Sequence, residues 1–120
     1  MCPCGSGRTV ENCCGQFHAG TAAPDAEGLM RSRYSAFVLN RHDYLKATWH
    51  ASTRPVDVSQ DEGTKWLGLE VRRHTVIDAD HAQVEFVARY RTAGRGARIH
   101  ELSRFVREAG RWYYVDGDLK

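Results

Sequence analysis

The 120-residue sequence predicts an α+β domain with a small cysteine knuckle ahead of it, and three observations carry that prediction. Two segments after residue 25 repeat apolar residues at helical spacing. Four later runs alternate apolar and polar residues with a period of two, and turn signals separate them. All four cysteines fall near the amino end, at Cys2, Cys4, Cys13 and Cys14. Consecutive hairpins imply a mostly antiparallel sheet, and helices ahead of them must lie across one face of it to bury their stripes. The expected organisation is a knuckle over 1–18, a linker over 19–24 and the α+β domain over 25–120.

Composition narrows the function classes. With 42% hydrophobic and 27% charged residues, the chain fits a globular protein, and no apolar run approaches the eighteen or so residues needed to span a bilayer. The amino terminus enters the cysteine motif directly, without a charged and then apolar leader, so a reducing cytoplasm is the expected compartment. The positive charges are arginines apart from Lys46, Lys65 and Lys120, yet the net charge is only +2. Arginine favours bidentate phosphate and carboxylate contacts. The near-neutral balance argues against avid, sequence-independent nucleic-acid binding.

The knuckle is the most specific signal. Its pattern is C-x-C-x8-C-C, four soft ligands on a segment too short to build a hydrophobic core. Zinc prefers tetrahedral thiolate coordination at about 2.3 Å and neutralises the repulsion between clustered thiolates. The alternatives are free thiols or two disulfides, but a cytosolic setting and the adjacency of Cys13 and Cys14 argue against bridging. Four protein ligands close the site, which makes the zinc structural. Gly5, Gly7 and Gly15 sit where the backbone must turn around the ion, and Ser6 lets donors approach the sulfurs. His18 is either a spare ligand or a surface histidine.

Cys2-Pro3-Cys4-Gly5-Ser6-Gly7, followed by Cys13-Cys14-Gly15, resembles the SEC-C motif, a zinc-binding tail first known from the preprotein translocase ATPase. That resemblance implies zinc and a protein partner, since the tail contacts an export chaperone and is linked to ribosome binding. Here Cys14 stands where the translocase usually has histidine. The intervening Arg8-Thr9-Val10-Glu11-Asn12 also lacks the lysines common in the family, so the same partner is not implied.

Ala19-Gly-Thr-Ala-Ala-Pro24 reads as a joint. From Asp25, Leu29, Met30, Arg33, Tyr34, Phe37 and Val38 mark one face of a helix, with Asp25 and Glu27 at its positive end and Asn40 at its exit. A second helix is expected from Asp43 as N-cap through His50, turning Tyr44, Leu45, Thr48 and Trp49 inward. Pro55 then imposes an extended step. Inward Arg33 needs a partner such as a carboxylate or a ligand anion.

In the first strand Leu67, Leu69, Val71, Thr75 and Ile77 are expected to share one face. Asp78-Ala79-Asp80 turns the chain into a second strand facing inward through Val84, Phe86, Ala88 and Tyr90. A hairpin at Gly94-Arg95-Gly96 leads to a third strand over 98–107. Glu108-Ala109-Gly110 leads to the fourth, Trp112 to Asp116.

Three segments then carry a second resemblance: Leu29-Met-Arg-Ser-Arg-Tyr-Ser-Ala-Phe-Val38, Tyr44-Leu-Lys-Ala-Thr-Trp-His50, and His100-Glu-Leu-Ser-Arg-Phe-Val-Arg-Glu-Ala-Gly-Arg-Trp-Tyr-Tyr-Val-Asp-Gly117. With the cysteine motif, they resemble the bacterial YchJ-like family, whose members are largely uncharacterised. The resemblance implies a cone-shaped α+β roll of the nuclear-transport-factor-two-like, or cystatin-like, kind, with two or three helices on a curved antiparallel sheet. Some members carry a second cysteine motif at the carboxyl end, which this sequence does not show.

Rolls of this class often enclose a cavity, and Arg33, Tyr34, His50, His100, Glu101 and Arg104 are the polar candidates to line one. Fold alone assigns no reaction. His100 and Glu101 are adjacent on a strand and point to opposite faces, so they cannot form a local acid–base pair. The basic hairpin 89–98 interleaves arginines with Tyr90 and glycines in a way that suits RNA, though Glu85, Glu101 and Glu108 are near enough in sequence to offset its charge. Three functions follow in order: a zinc-binding protein- or ribosome-interaction module, a small-molecule binder or enzyme using the cavity, and an RNA binder using the hairpin. The first of these is not an enzyme.

Overall fold

A computed structural model describes residues 1–56 and 64–120. Within it, three helices, α1 (Cys14–His18), α2 (Ala26–Val38) and α3 (His42–Ala47), pack on a four-stranded antiparallel sheet. The strands are β1 (Thr64–Asp78), β2 (His81–Thr92), β3 (Arg95–Glu108) and β4 (Arg111–Leu119), in the order β1-β2-β3-β4. The predicted α+β roll is therefore the observed fold. No helix among the described residues is long and apolar enough to cross a membrane.

α2 is the spine. Asp25 caps its start by accepting a hydrogen bond from the Gly28 amide at 2.7 Å, and Glu27 adds a favourable charge in the first turn. Its exit is a Schellman turn: Asn40 takes φ 59°, Arg41 N donates to Ala36 O at 2.8 Å and Asn40 N to Phe37 O at 3.4 Å. One face carries Leu29, Met30 and Tyr34 into a core completed by Val84, Phe86 and Phe105. Full burial of each such large side chain contributes about 1.5–3 kcal/mol. The opposite face buries Ser32 and Ser35. Small residues there let the knuckle approach the helix.

α3 departs from expectation. Asp43 lies in its first turn instead of capping it, and the helix ends at Ala47. The Thr48 hydroxyl bonds back to Tyr44 O at 2.7 Å. Beyond it Trp49 forms a parallel bridge with Tyr114, with His50 N donating to Tyr114 O at 2.7 Å and Tyr114 N to Thr48 O at 2.8 Å. The open edge of β4 offers unpaired backbone groups, and pairing with them outweighs three more residues of a short helix.

The face expected for β1 is also corrected. Register shifts between Trp66 and Gly68, Val71 and Arg73, and Val76 and Asp78 each insert a residue, and each insertion swaps the inward parity. Trp66, Leu69 and Val71 pack on the core, whereas Leu67 and Ile77 are exposed. The inward set on β2, with Val84, Phe86 and Ala88 buried and Tyr90 half-buried, matches the alternation. The second hairpin turns at Ala93-Gly94, with φ 53° and 79°, so Arg95 and Gly96 already belong to β3.

Candidate metal centre and cavity

The Sγ atoms of Cys2, Cys4, Cys13 and Cys14 all lie within 4.8 Å of one another, and all four residues are buried. The backbone wraps around them through Gly5 and Gly7, which take φ of 85° and 83°, a left-handed conformation that glycine adopts without steric cost. Gly15 has a different reason: a β-carbon there would strike the Val10 carbonyl. Ser6 Oγ donates to Cys13 Sγ at 3.1 Å, and Arg8 Nη2 approaches the same sulfur at 3.9 Å. Hydrogen bonding from Cys14 holds the Cys4 thiol down at about 4 despite its burial. The partner thiol of Cys14 is pushed up by the Cys4 contact and by burial. Such a cluster shares its protons poorly among four thiols, and a cation that replaces them relieves the conflict. These four residues could therefore hold a metal ion.

The knuckle is fastened to α2. Arg31 Nη1 donates to Cys4 O at 2.9 Å, while Cys2 Sγ lies 3.4 Å from Ser35 Oγ. His18 Nε2 stands 2.8 Å from Ser32 O, a contact that requires the Nε2–H tautomer, and its ring lies 4.7 Å from that of Tyr44. His18 is thus a half-buried bracing residue, not a fifth ligand. Arg31, Ser32 and Ser35 carry no metal-site pattern in sequence, which is why cysteine spacing does not reveal them.

A second site lies between α2 and the inner face of the sheet, a cavity of about 260 Å³. Arg33, Tyr34 and Glu101 line it, as do Trp49, Trp66 and Tyr114. The other three candidates do not. His50 Nε2 pairs with Glu108 at 2.8 Å and its Nδ1 contacts Ser52. His100 pairs with Glu85 at 2.6 Å on the outer face, and Arg104 binds Asp116 and Asp118 at 2.6 and 2.8 Å. The opposite orientations of His100 and Glu101 follow strand alternation.

Arg33 is 5% exposed. Its Nη1 donates to Leu45 O at 2.9 Å and to Thr48 Oγ1 at 2.7 Å. Its guanidinium carbon lies 5.3 Å from the Trp49 ring centroid and 4.7 Å from that of Tyr114. These cation–π contacts partly replace lost hydration. Burial nonetheless lowers its pKa to about 10. Arg33 forms no ion pair among the described residues; Glu101, which lines the same cavity, acts on it only through space. Glu101 Oε2 instead accepts from Ser103 Oγ at 2.5 Å and Tyr114 Oη at 3.3 Å. Burial, then the nearby Glu101 charge, raises the Tyr114 phenol, and burial raises that of Tyr34.

On the hairpin, Arg89 pairs across the strands with Arg98, Arg91 with Gly96, and Thr92 with Arg95. The glutamates expected to offset this charge are committed elsewhere: Glu85 to His100, Glu108 to His50, and Glu101 to the cavity.

Comparison with known proteins places this geometry. A model of the YchJ middle NTF2-like domain matches residues 25–117. A UPF0225 protein of Polaromonas sp. strain JS666 is 61% identical over 99% of this chain and 93% of its own length. One from Cupriavidus metallidurans is 60% identical over 99% and 89%. Among solved structures, a SEC-C motif-containing protein from Rhodopseudomonas palustris superposes with a TM-score of 0.86 at 35% identity, covering 98% of this chain and 96% of that one. A SEC-C motif-containing protein from Psychrobacter arcticus gives 0.80 at 34%, covering 100% and 82%. With the cysteine cluster and the roll matched together along nearly its whole length, the chain belongs to the YchJ-like, UPF0225 family of SEC-C motif proteins.

Proposed function

We propose that the four cysteines hold a structural zinc ion, and that the loop it fixes, residues 5–12, docks onto a ribosome-associated protein partner. The observation that carries this reading is a division within the knuckle. Every cysteine is buried, while Gly5, Ser6, Gly7, Arg8, Thr9, Glu11 and Asn12 are exposed. A tetrahedron with Zn–S bonds of about 2.3 Å has edges of about 3.8 Å. The Cys4–Cys13 and Cys13–Cys14 separations of 3.6 and 3.9 Å lie near that edge, and all four sulfurs fall within 4.8 Å of one another. Four thiolates leave no open coordination position, so the ion shapes the loop and does no chemistry. The loop carries one basic and one acidic residue, Arg8 and Glu11, which suits a mixed polar protein surface better than a strongly acidic one.

Elemental analysis of protein purified without added metal should find about one zinc per chain; less than a tenth of that refutes the site. Docking is tested by co-sedimentation with ribosomes, comparing wild type with a Glu11→Lys, Asn12→Ala variant that retains zinc. Loss of sedimentation in the variant supports the loop as the docking surface. Equal sedimentation of both proteins, or of neither, removes it.

A further inference from the structure

We infer that the cavity between α2 and the sheet binds a small aromatic carboxylic acid bearing a hydrogen-bond-donating substituent, with Arg33 receiving the carboxylate and Glu101 the donor. This inference is independent of the metal. Arg33 is buried, and its Nη1 is fully used by Leu45 O and Thr48 Oγ1. Its guanidinium carbon lies over the Trp49 and Tyr114 rings. Nε and Nη2 have no protein partner among the described residues, and Arg33 lines the cavity. These two groups form one edge of the guanidinium, the fork that a carboxylate meets with two parallel hydrogen bonds. An unpaired buried charge is costly; burial is the main cause of the lowered Arg33 pKa, and Glu101 opposes it only through space.

Glu101 sets the polarity of the site. Its Oε2 is bonded by Ser103 and Tyr114, and its Oε1 has no partner among the described residues. An anion beside it is repelled, whereas a hydroxyl or amine is welcomed as a donor. The cavity therefore orients its ligand, acid toward Arg33 and donor toward Glu101. Between these groups the lining is largely aromatic, with Tyr34, Trp66 and Phe86 presenting ring surface that favours a flat body.

Size fixes the class. An apolar cavity of about 150 Å³ holds benzene, so about 260 Å³ accommodates one ring with two polar substituents. The cavity lies just below the roughly 300–1,000 Å³ typical of pockets for drug-sized ligands, which favours a single-ring ligand.

The test uses the wild-type chain as purified and three probes, 4-hydroxybenzoate, 4-hydroxybenzamide and benzoate, titrated by two-dimensional NMR. The hydroxy acid should give saturable shifts centred on Arg33, Tyr34 and the Trp66 indole. The amide should bind at least tenfold more weakly, as expected for loss of a charge-assisted hydrogen bond, and benzoate several-fold more weakly. Glu101→Gln should narrow the gap between hydroxybenzoate and benzoate. Equal binding of acid and amide, shifts that map outside the cavity, or no saturable shift up to about 1 mM would overturn the proposal. Since the decisive comparison changes the probe and not the protein, it does not depend on any variant folding.

Discussion

Gly117 faces the Glu101 side chain so closely that a β-carbon at 117 would overlap Oε2, Cδ and Cγ of Glu101. The cross-strand partner of Gly117 is Ser103, the residue whose hydroxyl holds that carboxylate. Gly117→Ala should therefore push Glu101 off Ser103 and Tyr114 and destabilise the fold by about 1–3 kcal/mol, the usual range for overpacking. In a Glu101→Ala background the same substitution should cost less than about 0.5 kcal/mol. A double-mutant cycle by urea unfolding measures the coupling, and an unchanged penalty would mean that the strain lies in the β4 backbone.

Two hairpins turn through alanine in a conformation that alanine resists. Ala93 and Ala109 have φ of 53° and 51°, each followed by a glycine at 79° or 77°, so both are two-residue turns with positive φ throughout. The left-handed region costs an ordinary residue about 1–2 kcal/mol, and asparagine less. Ala93→Asn and Ala109→Asn should each stabilise the protein, by about 0.5–1 kcal/mol, and additively because the turns are separate. Thermal melts of the two single variants and the double variant check both the sign and the additivity.

The cysteine cluster that could hold a metal and the layer order are legible in the sequence because each depends on local spacing. Cys2, Cys4, Cys13 and Cys14 lie close along the chain, and the hairpin order needs only alternation and turn residues. What stays hidden depends on contacts between distant residues. The β1 bulges that expose Leu67 and turn Trp66 inward arise from pairing with β2, and nothing in Thr64–Asp78 marks them. The end of α3 is set by the free edge of β4, which lies far away in sequence. In the cavity, Arg33, Tyr34 and Glu101 share inward faces that periodicity reveals. His50, His100 and Arg104 join them on residue type alone, but each has a nearer carboxylate. Burial of Ser32 and Ser35 leaves no mark in the sequence beyond their small size.

Removing the metal should weaken more than the knuckle. Arg31 to Cys4 O, Cys2 to Ser35 and His18 to Ser32 O are all bonds to α2, the helix whose other face covers the sheet. If the proposed zinc holds the knuckle, its removal should unfold the knuckle and uncover the Ser32 and Ser35 face of α2. Chelation should lower the Tm by at least about 8 °C, equivalent to roughly 2 kcal/mol for a chain of this size. Tryptophan fluorescence reports this from the roll, because Trp49, Trp66 and Trp112 all lie outside the knuckle. A tryptophan transition that does not move would mean that the knuckle and the roll unfold separately.

His18 should make the same junction sensitive to acid. Burial, and then repulsion from Arg41, lower its pKa below 6.5, against an opposing contribution from the Ser32 carbonyl. The unfolded chain therefore binds a proton on His18 at a pH where the folded chain does not, and stability rises with pH across that interval. The contribution is complete above about pH 6.5 and is lost progressively as the pH falls toward the folded-state value. Because the ring is only half-buried, solvent screening limits the loss. Thiolate protonation acts in the same direction, so the measurement is a difference. With zinc kept saturating, the fall in Tm from pH 7 to pH 5 should be smaller in His18→Gln than in wild type. Parallel slopes would show that the metal ligands alone carry the acid sensitivity, and that the bond from His18 to Ser32 is indifferent to protonation.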